Sequence, residues 1–500
     1  MRTALVLATS LLLLLLAYAC EVDRDYLTGD AVALRFSTDT LRFDTVFTAR
    51  GSATRQFKVY NDAADPVKID RIEVAGESGV AFTFNADGTQ GPQASEVVIF
   101  GRDSIFVFVE VEVDPSEPVA VSPFLATDRL IFHTGATQRA VVLEAFGQNA
   151  NYLNGFNRGT FFQPICADGT FTLPTDLPTV IYGSMFVDSC VLRVLGGTRI
   201  YFHGGTQRNP QLGGSGIFSD GFIYTLPEGR IELLGTREEP ILLATDRLEP
   251  EYEQSTGGYR GLVLGPGSRG NRIDHTTIRN SIVGVTVDSL AEVTIGNSVI
   301  AYSSGPALLT YQGSLTASNT LVHSTRSNAV QVLKGGNLTL DHVTIANYGS
   351  TEPALSLANC AAVPDANYCI QAPLYARIRN SIITGGGLQE LELIDVDGRA
   401  DPATFDLRIA RSVVRTDNRF LTEDNGRYAD FYGTYCTDCY NLQSGDPLFV
   451  SVGEENFRPD SLSVARDLGI YLPELPADLA GNARDTDSPD AGALEWQPGG

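Results

Sequence analysis

The chain has 500 residues, 43% hydrophobic and 19% charged, with 49 glycines and 24 prolines. That is the make-up of a folded, turn-rich protein and not of a disordered one. The formal charge of −24 argues against nucleic acid or an anionic lipid surface as a partner, since both demand a basic stripe, and it keeps a long strand-rich chain soluble.

Arg2 precedes an apolar stretch at 4–17 that contains six consecutive leucines at 11–16. A positive end and an apolar core this short predict a signal peptide over 1–19 rather than a membrane span. The residues Leu16, Ala17, Tyr18, Ala19 and Cys20 resemble the lipobox of bacterial lipoproteins, with alanine where leucine is usual three places before the cysteine. The resemblance implies that Cys20 is acylated; an ordinary cleaved signal is the alternative. Glu21, Asp23 and Asp25 make 20–29 an acidic tether, similar to the signal that sends lipoproteins of the Bacteroidetes group to the outer face of the outer membrane. The expected partner is a membrane, held through lipid chains and not a spanning helix. The expected location is the outer membrane, facing the cell exterior or else the periplasm.

From 30 to 148 the chain is a run of short alternating segments at 33–36, 45–48, 55–60, 67–74, 81–85, 96–100, 104–113, 129–133 and 139–145. In the 104–113 segment Ile105, Val107, Val109, Val111 and Val113 alternate with Phe106, Phe108 and two glutamates, which predicts one buried and one exposed face. Turn residues separate the segments at the spacing of a β-sandwich. The stretches Arg-Gln-Phe-Lys-Val-Tyr-Asn at 55–61 and Asp-Ser-Ile-Phe-Val-Phe-Val at 103–109 resemble immunoglobulin-like domains of the sperm-protein and spindle-associated type, which implies a spacer or docking module.

Beyond residue 148 a repeat begins, and 149–500 forms a second domain. One apolar position recurs as Ile278, Ile300, Val322, Ile345, Ile383 and Val414, at intervals of 22, 22, 23, 38 and 31 residues. Three places earlier stand His275, Asn297, Asn319, His342, Asn380 and Arg411, each followed by Thr276, Ser298, Thr320, Val343, Ser381 or Ser412. Two places earlier again stand Ile273, Ile295, Ala317, Leu340, Ile378 and Ile409. A unit this short cannot bury its own apolar side, but stacked units can. The first position is then an inward column, and the Asn/His position a ladder of bends where left-handed backbone and side-chain amide bonds are tolerated. These units resemble the right-handed parallel β-helix of the pectate-lyase-like superfamily. So do Gly-Thr-Arg-Glu-Glu-Pro-Ile at 235–241, Asp-Pro-Leu-Phe at 446–449 and the closing phrase Asp-Ala-Gly-Ala-Leu-Glu at 490–495. The expected fold class is all-β: an immunoglobulin-like sandwich followed by a right-handed parallel β-helix.

Apart from Cys20, six cysteines fall in local pairs: Cys166 with Cys190, Cys360 with Cys369, Cys436 with Cys439. An even count in an exported chain favours disulfides. A metal reading of Cys436 and Cys439 lacks further ligands, so no metal site is expected. His275 and His342 stand three coils apart, ~14 Å at β spacing, too far for one ion. His323, one place past the apolar position, is expected to be exposed. Glu390, Glu392, Asp395, Asp397 and Asp401 could hold calcium; a solvated acidic loop is the alternative. No other cofactor is implied.

Enzymes of the resembling superfamily cleave acidic polysaccharides on the outward face of one sheet, with paired carboxylates or a basic residue. Alternation places Thr286, Gln331 and Ser356 outward, all neutral, with Asp288 near an edge and without an acidic partner at the matching place in its neighbours. Lys334, the one lysine after Lys68, falls in a turn and is read as solvated and not as a base. No catalytic residue is assigned. The expectation is a lipid-anchored surface protein that binds glycan or protein without catalysis. A polysaccharide lyase or glycoside hydrolase is the first alternative, and a structural component of a surface complex the second. The sequence does not fix the oligomeric state.

Overall fold

The computed structural model describes residues 26–28, 32, 34–47, 54–77, 81–112, 126–148, 150–155, 164–166, 168–208, 217–362, 368–396, 401, 403–426 and 428–498. Cys20, its acidic neighbours, Val113 and Asp397 lie outside the described residues. The fold class is all-β, with an immunoglobulin-like sandwich ahead of a parallel β-helix, and the chain divides into two compact units, Met1–Asn149 and Ala150–Gly500. No described helix is long and apolar enough to cross a membrane.

The first unit is two five-stranded sheets. One carries Leu34–Phe36, Arg55–Asn61, Ser104–Glu112, Ala81–Ala86 and Thr89–Gln90; the other carries Thr40–Phe47, Thr137–Gln148, Ala126–Thr134, Val67–Val74 and Gln93–Ile99. Pairing is antiparallel except between Thr137–Gln148 and Thr40–Phe47. The second strand begins five residues before the segment expected at 45–48, because Leu41 and Phe43 supply inward side chains ahead of it. Phe43, Phe57, Ile69, Phe84, Val107, Leu130 and Phe132 fill the space between the sheets. Alternation over Ser104–Glu112 does what its pattern predicts: Val107 and Val109 are fully buried, while Phe106 and Phe108 point out and stack on one another with centroids 6.0 Å apart.

The second unit winds three parallel sheets around one core. Face 1 takes Ile241–Thr245, Thr276–Arg279, Val299–Ala301, Leu321–His323, Thr344–Asn347, Ile382–Gly385 and Val413–Val414. Face 2 takes Phe222–Thr225, Gly261–Leu264, Val285–Val287, Leu308–Tyr311, Val330–Leu333, Leu355–Ala358 and Leu391–Ile394. Face 3 is ten-stranded and includes Arg230–Leu234, Asn271–Asp274, Glu292–Gly296, Ser314–Ser318, Gly336–Asp341, Leu374–Arg379 and Phe405–Ala410. The long strand Thr179–Val187 starts in face 1 and ends in face 2.

Register is set by the apolar period. Ile278 pairs with Ile300, Ile300 with Val322, Val322 with Ile345, Ile345 with Ile383, and Ile383 with Val414. All six are fully buried. Each therefore covers the residue of the neighbouring coil, ~4.8 Å away, and a one-residue slip would turn the whole column outward. The column from Ile273 through Ile409 is formed in the same way on face 3.

Between faces 3 and 1 the chain turns on a single residue. His275, Asn297, Asn319, His342, Asn380 and Arg411 all have φ between 43° and 53°, the left-handed region that asparagine tolerates best among residues with a side chain. Their side chains bond along the stack: Asn297 donates to Asp274, Asn319 to Asn297 and Asn380 to His342, at 3.1, 3.1 and 2.8 Å. Arg411 leaves the ladder and pairs with Asp438 at 3.0 Å. The hydroxyls that follow accept backbone N–H groups from the coil before, as Ser298 does from Thr276 and Ser412 from Ser381.

After Asn441 the chain turns back along the outside of face 1. Leu448, Phe449, Phe457, Ala465, Ala491 and Ala493 pack over Leu321, Ala346, Ile382 and Val413, outward residues of that face. The cysteines pair as Cys166–Cys190, Cys360–Cys369 and Cys436–Cys439. The second closes a two-stranded insertion between faces 2 and 3.

Candidate functional site

Outward residues at equivalent places form continuous columns, and two of these could meet a ligand. On face 2 the register joins Phe186, Tyr224, Val263, Thr286, Leu309, Gln331, Ser356 and Glu392. Thr286, Gln331 and Ser356 thus stand in one line, but Ser356 is buried, as is Val263, and the line is not uniformly neutral. One end is aromatic: Phe186 lies 5.6 Å from Tyr224 and 6.0 Å from Phe222, and the Arg260 guanidinium lies 5.3 Å over the Phe222 ring. The other end is polar: Gln331 donates to Asn328, and Ser356 donates to Glu392 at 2.6 Å. Burial first, and Asp288 nearby, push the Tyr224 hydroxyl above its ordinary pKa, so it stays a neutral donor. Phe186 and Tyr224 were missed in the sequence because their coils precede the regular 22-residue spacing.

On face 1 the outward column runs Tyr201, Ala244, Arg279, Ala301, His323, Ala346 and Thr384. Large and small residues alternate from Tyr201 to Ala346, leaving room over Ala244 and Ala346. The gap over Ala346 is filled by the returning C-terminal segment. Over Ala244 rises the loop at 246–258, held down by Asn280, whose amide donates to the carbonyls of Tyr252, Glu253 and Ser255. The result is a cavity of about 180 Å³ lined by Ala244, Thr245, Arg247, Glu249, Glu253, Arg279 and Asn280, among others. Arg247 lies 3.8 Å over the Tyr252 ring and bonds Glu249 at 3.3 Å; Arg279 meets Glu253 at 3.1 Å. Arg279 stands one place past Ile278, so its outward position was legible. The loop that makes it part of a cavity was not.

His323 is buried, contrary to the exposure expected of it. Its ring lies 5.6 Å from Tyr302 and 5.1 Å from Phe457, a residue far along the chain that no local pattern could have placed there. Its Nδ1 lies 2.9 Å from the Ser324 hydroxyl, which bonds Glu455, as does the Tyr302 hydroxyl. Burial holds the His323 imidazole neutral, and burial together with Glu455 pushes the Tyr302 hydroxyl upward. The group latches the turn at Glu455, where φ is 56°, onto the coils.

The acids expected to form a solvated or calcium-binding loop are dispersed. Glu390 is buried and accepts backbone N–H groups of Ala354 and Gly387, and burial raises its pKa. Asp395 is buried and accepts from Asn359 at 2.9 Å, while Asp401 accepts the Ala403 N–H. Glu390 and Asp401 each close a local turn, and Asp395 joins one coil to the next. Among the described residues no group of three or more histidines, cysteines or acids could hold a metal ion. Lys334 sits in a turn with φ 59° and places its ammonium 5.1 Å from the Tyr311 ring centroid. His275 stands 3.0 Å from Asp274, coils away from His342.

No family model matches the chain, and no curated protein matches it. Among solved structures, a protein of unknown function from Porphyromonas gingivalis W83 aligns at 13% identity with TM-score 0.17, over 28% of this chain; the chain spans 59% of that neighbour's length. The catalytic unit of a thermostable GH87 alpha-1,3-glucanase from Streptomyces thermodiastaticus strain HF3-3 aligns at 9% identity with TM-score 0.28, over 78% of this chain and 80% of the other.

Proposed function

We propose that this chain is a lipid-anchored cell-surface protein that binds a glycan along the outward column of face 2 without cleaving it. The observation that carries this reading is the column itself. Eight side chains share one register, and six of them are partly exposed: aromatic at Phe186 and Tyr224, hydrogen-bonding at Gln331 and Glu392, with Thr286 and Leu309 between; Val263 and Ser356 are buried. A linear polymer lying along the helix axis passes one coil every ~4.8 Å and meets the partly exposed members of the column. Aromatic rings offer a flat apolar surface to sugar C–H groups, and amides and carboxylates take the hydroxyls. The column holds one carboxylate, Glu392, already engaged by Ser356, whereas hydrolysis of a glycosidic bond uses two across the bond. Anchoring rests on Cys20 and its preceding apolar stretch.

Affinity electrophoresis of the soluble chain in gels containing neutral or uronate polysaccharides tests the reading. Retardation by at least one polymer is expected, reduced severalfold by Tyr224→Ala. Reducing ends or unsaturated products appearing with purified protein would establish the enzyme alternative instead. Cys20→Ser should abolish palmitate labelling and release the protein from membranes; unchanged labelling would remove the anchor.

A further inference from the structure

The cavity over Ala244 has features that neither the stack nor the proposed polymer column uses. Its volume, about 180 Å³, is below the roughly 300–1,000 Å³ of pockets for drug-sized ligands. It admits one small ring and not a chain. Its charged lining is paired, Arg247 with Glu249 and Arg279 with Glu253, and Ala244, Leu248 and Pro250 add apolar wall. A fixed anion would need an unmatched guanidinium, and an apolar ligand would strand these groups out of water. A neutral polyol suits the wall, because each of its hydroxyls can donate to a carboxylate and accept from a guanidinium.

The cavity exists for a reason readable in the register. Tyr201 pairs with Ala244, and Leu243 beside it pairs with Ile278, the neighbour of Arg279, so an alanine between two large side chains leaves the floor low. The loop at 246–258 then roofs it, pinned by the three bonds from Asn280.

We infer that this cavity is a binding site for a single neutral monosaccharide unit, free or at a chain end, separate from the face 2 column. The inference stands whether or not that column binds a glycan.

Saturation-transfer NMR and calorimetry on the full soluble chain, with D-glucose, D-galactose, D-mannose and N-acetyl-D-glucosamine as probes and D-glucuronate as the anionic control, test it. At least one neutral sugar should bind saturably and more tightly than glucuronate. Ala244→Leu, which fills the floor without touching a charge, should weaken binding tenfold or more. Because that variant could fail to fold, Glu253→Gln is the second arm: its side chain is mostly exposed (63%), so folding should survive. It leaves Arg279 unmatched, and it should weaken the neutral sugar while bringing glucuronate level with or ahead of it. Tyr224→Ala should leave all of this unchanged. The proposal is overturned if no neutral sugar binds, if glucuronate is preferred by the unaltered chain, or if Glu253→Gln binds as the unaltered chain does. It is equally overturned if Tyr224→Ala alone removes the signal, which would then belong to face 2.

Discussion

Arg484 donates to the Oδ1 of Asn319 at 2.8 Å, joining the returning C-terminal segment to the bend ladder across 165 residues of chain. The same guanidinium, its side chain wholly buried, bonds Glu495 at 2.7 Å. Asn319 in turn donates to the carbonyl of Ala477, and Asn380, two rungs along, exchanges bonds with both backbone groups of Ile470. The ladder thus serves twice, once within the stack and once as the strip to which the segment is stitched.

Removing Arg484 should therefore cost more than its own bonds. Above pH 8, where Glu495 is ionised beside Arg484, Arg484→Met leaves it buried without its counter-charge, a loss of up to about 3–5 kcal/mol by analogy with other broken buried pairs. Adding Glu495→Gln should recover part of it, because the uncompensated charge goes with it. Urea denaturation of the two variants checks this; equal stability of the single and double variants would sink the coupling.

His342 makes the same seam sensitive to acid. Asn380 donates to its Nε2 at 2.8 Å, and its Nδ1 faces the Gly492 carbonyl at 3.3 Å, so the neutral Nδ1–H form fits both. Burial first, then Arg484 nearby, lowers its pKa to about 3. The folded chain then binds fewer protons than the unfolded one between that value and about 6.5. Its contribution to stability is complete above the unfolded pKa and is lost as pH falls toward 3. Every tenfold difference in proton affinity between the folded and unfolded chain is worth about 1.4 kcal/mol. His342→Asn, which restores the commoner rung, should lose less melting temperature than the unaltered chain between pH 7 and pH 4.5.

Glu495 acts with the opposite sign. Burial first, and Asp490 beside it, raise its pKa to about 7 despite the Arg484 contact. The folded chain holds this proton where the unfolded chain has released it, so the contribution is present below about 4.5 and is lost as pH rises through 7. Glu495→Gln mimics the protonated form and should flatten the fall in melting temperature between pH 6 and pH 8. A variant as pH-dependent as the unaltered chain over that range would assign the effect elsewhere.

The stack was legible because it is periodic. Ile278, Ile300, Val322 and Ile345 announce their column by spacing, and Asn297 and Asn319 announce the bend by residue type. What escaped was what crosses the period. The loop at 246–258 lengthens one coil, so nothing in the spacing ties Glu253 to Arg279. The cover over His323 comes from Phe457, and Glu390 and Asp395 accept from Ala354 and Asn359 in the previous coil. Acid-rich composition looks the same whether its carboxylates are solvated or buried as single acceptors. The distinction lies in backbone N–H groups that the sequence does not display.

Leu308 and Leu309 separate the two roles of a coil most directly. They are adjacent, share a strand and differ only in direction: Leu308 is fully buried between Val285 and Val330, and Leu309 stands half-buried in the outward column between Thr286 and Gln331. Leu308→Ala removes core methyls between two neighbours that the stack holds in place, and it should cost about 2–5 kcal/mol. Leu309→Ala exposes a surface already partly wet and should cost under about 1 kcal/mol, yet it removes one step from the line between Tyr224 and Gln331. Denaturation and gel retardation measured together on the pair should give a destabilised Leu308 variant and a stable Leu309 variant with weaker polysaccharide retention. If the two leucines exchange roles, the register of face 2 is shifted by one residue and every outward assignment on it fails.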